Sequence, residues 1–79
     1  MASLFVGTVQ SIVKGEHGSY IVIKSADIEG SVTCSVEKAW KEETLPESGT
    51  VVVMQDILKK RSGWRAMYCR FFRPEDEGR

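Results

Sequence analysis

The chain has 79 residues, too few for two hydrophobic cores or for the layered α/β scaffold of most cofactor enzymes. Eleven Lys and Arg balance eleven Asp and Glu, so bulk charge does not announce a nucleic-acid binder, although a neutral chain can still carry a local basic face. With 42% apolar and 28% charged residues, the composition is that of a single folded domain, with an ordered core at about 4–73 and loose ends at 1–3 and 74–79. The longest apolar runs, such as Val51-Val52-Val53-Met54, fall far short of the ~20 residues that cross a bilayer. The start of the chain has neither the basic residues nor the long apolar middle of a signal peptide. These features lead to the expectation of a cytoplasmic monomer without a membrane partner or cofactor.

In chain order, Leu4 to Val13 reads as a β-branched and aromatic strand, with Gly7 inside it marking a bulge or sharp bend. A loop at Lys14-Gly15-Glu16-His17-Gly18 precedes a second strand, Ser19 to Lys24, and a turn around Ser25-Ala26-Asp27 precedes a third, Gly30 to Ser35. Residues 36–45 predict a short helix: Val36, Ala39 and Trp40 make an apolar stripe, Ser35 caps the start and Pro46 ends it. Thr50 to Lys59 and Trp64 to about Arg73 are the last two strands, joined by a Lys60-Arg61-Ser62-Gly63 hairpin loop with Gly63 in the left-handed position. Five strands in so short a chain cannot build two packed sheets, and closure removes the exposed edges. The expected fold is all-β, a small five-stranded OB-type barrel with a short helix between strands three and four plugging one end. An SH3-like barrel, which usually lacks that helix, is the competitor.

Charge is unevenly distributed. Residues 1–50 carry four bases and seven acids, whereas residues 51–79 carry seven bases and four acids. Lys59, Lys60, Arg61, Arg65, Arg70 and Arg73 follow one another with no acid between them. A neutral molecule can in this way present one cationic strip.

Several segments resemble a known pattern. Gly7-Thr8-Val9, Gly18-Ser19-Tyr20-Ile21 and Gly30-Ser31-Val32-Thr33-Cys34-Ser35, then Gly49-Thr50-Val51 and Gly63-Trp64-Arg65-Ala66, occur in order over residues 5–72. Together they resemble the S-one-type RNA-binding repeat of bacterial ribosomes and the cold-shock domains that share its layout. The resemblance implies an OB-type barrel that binds single-stranded RNA or DNA, with RNA favoured. His17 stands where the ribosomal repeats usually have an aromatic residue, and Thr33 where they often have a histidine. Gln10, Ser11 and Ser19 replace part of the aromatic platform of the cold-shock domains.

Binding a single strand requires flat faces for unstacked bases, worth ~1–3 kcal/mol each, and cations that follow the phosphates. Tyr20, opening strand two, is the stacker that the resemblance also carries over; Trp64, after the basic turn, is a second. His17 can stack or donate a hydrogen bond, and Thr33 lies on the corresponding strand-three face. Lys59, Lys60 and Arg61 on the hairpin, with Arg65 and Arg70 on the last strand, supply the cations, arginine being able both to stack and to hold phosphate. Strand parity groups Arg65 and Arg73 with Met67, Cys69 and Phe71, and Arg70 with Tyr68 and Phe72, unless a bulge near Ala66 shifts the register. Each candidate has a plainer alternative: Tyr20 as a core ring, Trp64 closing the hairpin mouth against strand four, His17 idle on its loop, and the basic run a solvated tip.

Catalysis finds no constellation: a lone histidine has no nucleophile and orienting acid at recognisable spacing, and no phosphate-binding glycine loop occurs. Cys34, Cys69 and His17 fall short of a structural zinc site, so no metal is expected. The thiols read as buried free cysteines, with a disulfide between them left open. The alternative to nucleic-acid binding is a protein-interaction module on the same barrel.

Overall fold

The computed structural model describes residues 4–61 and 63–77; residues 1–3 and 78–79 of the expected loose ends, and Ser62 of the hairpin loop, lie outside the described residues. The strands are β1 (Phe5–Gly15), β2 (Gly18–Lys24), β3 (Ser31–Ser35), β4 (Val51–Lys60) and β5 (Gly63–Phe71). They close into a barrel in the order β1-β2-β3-β5-β4, with β4 returning to β1. All neighbours are antiparallel except β3 and β5, which run parallel. The class is therefore the expected one, all-β with a small closed five-stranded barrel.

Period-two alternation fills the interior. Val9, Ile21, Ile23, Val32, Cys34, Val52, Met54, Ala66 and Cys69 point inward and are fully buried. Complete burial of each Val, Ile or Met stabilises the barrel by about 1.5–3 kcal/mol. β1 serves two neighbours, Phe5 to Thr8 pairing with β4 and Thr8 to Gly15 with β2. The bend that permits this is a bulge between Val9 and Ser11, not at Gly7 as the sequence suggests. Gly7 has a different role: a Cβ there would lie 2.5 Å from Ile23 Cγ2 and 2.9 Å from the Lys24 carbonyl oxygen. The missing side chain lets β1 pack against β2.

In the β4–β5 hairpin, Met54 and Cys69 point inward, and so do Ile57 and Ala66. Parity thus reverses between them, helped on β4 by Asp56 at φ +54°. No bulge shifts the pairing near Ala66, since one register runs from Val52–Phe71 to Lys60–Gly63; the change is in side-chain parity alone. It puts Arg65 and Met67 outside and Cys69 and Phe71 inside.

The expected helix at 36–45 does not form; the only helical element among the described residues is a 3-10 turn, Pro74–Asp76. The Ser35 cap is present, accepting at Oγ from Lys38 N–H, and the Ser35 carbonyl accepts from Ala39 and Trp40 N–H. One turn later, Lys41 N–H donates to the Cys69 carbonyl and Cys69 N–H to the Ala39 carbonyl, tying the chain to β5 as a parallel bridge. Trp40 is buried, meets Phe71 edge-on at 5.0 Å and donates its indole N–H to the Thr44 carbonyl. The apolar stripe is real, but a helix of ten residues is marginal alone, and these backbone bonds to β5 outcompete it.

Beyond β5, within the segment expected to be loose, Pro74–Asp76 forms the 3-10 turn. Asp76 is buried and grips Arg70. Val53, opposite Arg70 and outside the core cluster, is also fully buried. No helix among the described residues is long and apolar enough to cross a membrane.

Candidate nucleic-acid interface

Because Ile21, Ile23, Val32, Cys34 and Ala66 point inward, Tyr20, Val22, Thr33, Ser35 and Arg65 stand on the outer face of β2, β3 and β5. The register aligns Val22, Thr33, Arg65 and Leu58 in one row, with Tyr20 beside Ser35 in the next. A cleft of about 440 Å³ opens over this face. Its walls are the β1–β2 turn from Gly15 to Ser19, the outward residues Tyr20, Thr33, Ser35 and Arg65, and Glu37 with Lys38. His17, Tyr20, Thr33 and Arg65, singled out separately in the sequence, are thereby brought together. The Tyr20 side chain is not a core ring: the residue is 39% exposed. The Thr33 hydroxyl donates to the Trp64 carbonyl at 3.3 Å, which fixes its orientation between Tyr20 and Arg65.

The hairpin cations sit at the other end of β3. Lys60 pairs with Gly63, whose φ of +137° closes the turn, and Gly63 abuts the Ser31 carbonyl. Tyr20 lies opposite Ser35. The four steps along β3 between these ends span about 13 Å, with Thr33 and Arg65 midway. Lys60 and Arg61 are exposed, and neither side chain is in a salt bridge among the described residues. The Lys59 ammonium lies 4.8 Å from the Trp64 ring centre, a cation–π contact.

Two candidates do not join this face. Trp64 shares its parity with Ala66, packs at the barrel edge, and donates its indole N–H to the Glu29 carbonyl at 3.2 Å. With Phe5, Ile28 and Ile57 it lines a separate apolar cavity of about 300 Å³. Arg70 holds both Asp76 carboxylate oxygens, at 2.7 and 2.8 Å, on the β4 flank. Hydrogen bonding to Asp76 raises the Arg70 guanidinium above its ordinary range, so its charge is permanent and already matched. Arg73 is likewise engaged with Glu42, at 3.3 Å. The cationic strip of the sequence is thus divided.

Sequence reasoning missed Glu37 and Lys38, since it assigned both to a helix. The available signal is their position just past β3: once Tyr20 faces Ser35, the next residues must cross the entry to β2. Cys34 and Cys69 are free and enclosed in the barrel, away from the cleft. A hydrogen bond to Cys34, then burial, push the Cys69 thiol far above the usual range, which leaves it unreactive. Comparison of the chain with protein-family models, curated proteins and solved structures gives no match.

Proposed function

We propose that this domain is a non-catalytic module that holds a short single strand of nucleic acid, RNA in preference to DNA, across the outer face of β2, β3 and β5. The observation that carries the reading is the convergence of His17, Tyr20, Thr33 and Arg65 on one cleft, with the Lys60–Arg61 hairpin at the opposite end of β3, about 13 Å from the Tyr20–Ser35 pair. That span accommodates about two nucleotides, one stacked on Tyr20 and its phosphates running toward the hairpin. The strand order β1-β2-β3-β5-β4 supports an OB-type barrel, and the OB-type strands two and three are a recurrent oligonucleotide surface. The likeness to S-one-type and cold-shock domains supports RNA.

One firm stacking ring and three available cations imply weak binding, with dissociation constants of roughly 1–100 μM at physiological salt. Titration of labelled protein with a hexanucleotide, followed by amide NMR, tests the reading. Shifts are expected at residues 17–20, 33 and 59–65, and Tyr20→Ala should weaken binding about 5- to 100-fold while leaving the fold intact. Absence of shifts at low salt would overturn it. That outcome would favour a second reading, a protein-interaction module, which the exposed Leu58 and Met67 beside Arg65 and the apolar cavity at Trp64 support.

A further inference from the structure

Glu37 enters the same cleft from outside the strands. Val36 N–H donates to the Ser19 carbonyl at 3.0 Å, extending the β2–β3 ladder past the Tyr20–Ser35 pair. This carries Glu37 over the β1–β2 turn, where its oxygens accept from Ser19 N–H at 3.2 and 3.4 Å. The approach requires Gly18: a Cβ there would lie 2.6 Å from Glu37 Oε1, and the backbone has φ +124°. A single N–H shared between two oxygens leaves most of the carboxylate's roughly four acceptor sites open. No cation is bonded to it among the described residues.

A fixed, acceptor-only group beside an exposed ring repels phosphate and attracts hydrogen-bond donors. Among the bases, guanine alone offers two adjacent donors on its Watson–Crick edge, the ring N1–H and the exocyclic amino group, spaced to meet both carboxylate oxygens. Cytosine and adenine each present an amino group next to an acceptor nitrogen. Uracil presents one N–H between two carbonyl oxygens, which a carboxylate disfavours. We propose, resting on the strand-binding reading above, that Glu37 is a specificity-determining residue that selects guanine for the base stacked on Tyr20. The remaining positions stay sequence-tolerant.

Fluorescence anisotropy at low salt with three RNA hexamers tests this: all-uridine, the same strand with one central guanosine, and the same with inosine, which lacks the exocyclic amino group. The guanosine strand should bind about tenfold more tightly than the uridine strand, with inosine between them. Glu37→Gln should bring the guanosine-to-uridine ratio below about twofold, and the Ser19 amide resonance should move with the guanosine strand in the wild type. Tryptophan fluorescence verifies that the variant is folded. Equal affinities in the wild type, or an unchanged ratio in Glu37→Gln, would overturn the guanine assignment while leaving strand binding standing. Failure of all three strands to bind would overturn both.

Discussion

Replacing Arg70 with alanine should destabilise the domain moderately and leave oligonucleotide affinity unchanged. The Arg70 side chain is 14% exposed and that of Asp76 3%, and Asp76 also accepts from Arg73 N–H at 2.8 Å. If the Pro74–Asp76 turn stayed docked without Arg70, the buried Asp76 carboxylate would lose its bidentate guanidinium partner at about 3–5 kcal/mol. Detachment of the turn offers a cheaper route. It forfeits the charge-assisted bonds of Asp76 to Arg70 and to Arg73 N–H, together about 4–6 kcal/mol, but returns roughly 3–4 kcal/mol of backbone freedom to the turn. The net loss is about 1–2 kcal/mol, so detachment wins. For a domain of this size that lowers the melting temperature by roughly 5–15 °C. Urea and thermal unfolding of Arg70→Ala, of a chain ending at Arg73, and of the two combined provide the assay. The single changes should cost the same and fail to add. Additive losses, or a drop in oligonucleotide affinity beyond about twofold, would refute the assignment of Arg70 to the fold rather than to the interface.

Gly7→Ala should destabilise by at least about 1–3 kcal/mol in urea unfolding, because the added methyl meets Ile23 and the rigid Lys24 carbonyl. Gly30→Ala, at φ +92° but in open space, should cost only about 1 kcal/mol. With about three phosphate contacts, log affinity against log salt should have a slope near −2, and a slope near −4 would require Arg70 and Arg73 to leave their carboxylates. The raised Cys69 thiol gives stability that is fully present below the unfolded thiol value of 9.0 and lost as pH rises above it, since only the unfolded chain then releases the proton. The urea midpoint should therefore fall between pH 8.5 and 10, at up to about 1.4 kcal/mol per pH unit, with a shallower fall in Cys69→Val.

The barrel is legible because alternation of β-branched residues is a local signal. Val9, Ile21, Ile23 and Val32 announce their inward parity without reference to any partner strand. Trp40 shows the limit of such reasoning. Its spacing from Val36 fits a helix, and only the bonds joining Ala39 and Lys41 to Cys69, some thirty residues away, decide against one. The candidate site divides along the same line. Tyr20, Thr33 and Arg65 follow from parity within well-defined strands. Arg70 and Trp64 do not, because their partners Asp76 and Glu29 are brought in by loops, and the hairpin reverses its parity at Asp56. A cationic run in one dimension carries no record of which guanidinium groups are already matched.

The parallel ladder between β3 and β5 also shapes how the protein is made. Once Ser35 has cleared the ribosome, β1, β2 and β3 can assemble, but the outer edge of β1 awaits β4 and that of β3 awaits β5. At ordinary translation speeds the interval to Phe71 lasts about 2–7 s. Throughout it the nascent meander shows Val6 and Val32 along two open margins, the condition under which neighbouring chains join edge to edge. The finished molecule has no such margins, so its greatest hazard of aggregation belongs to its own birth.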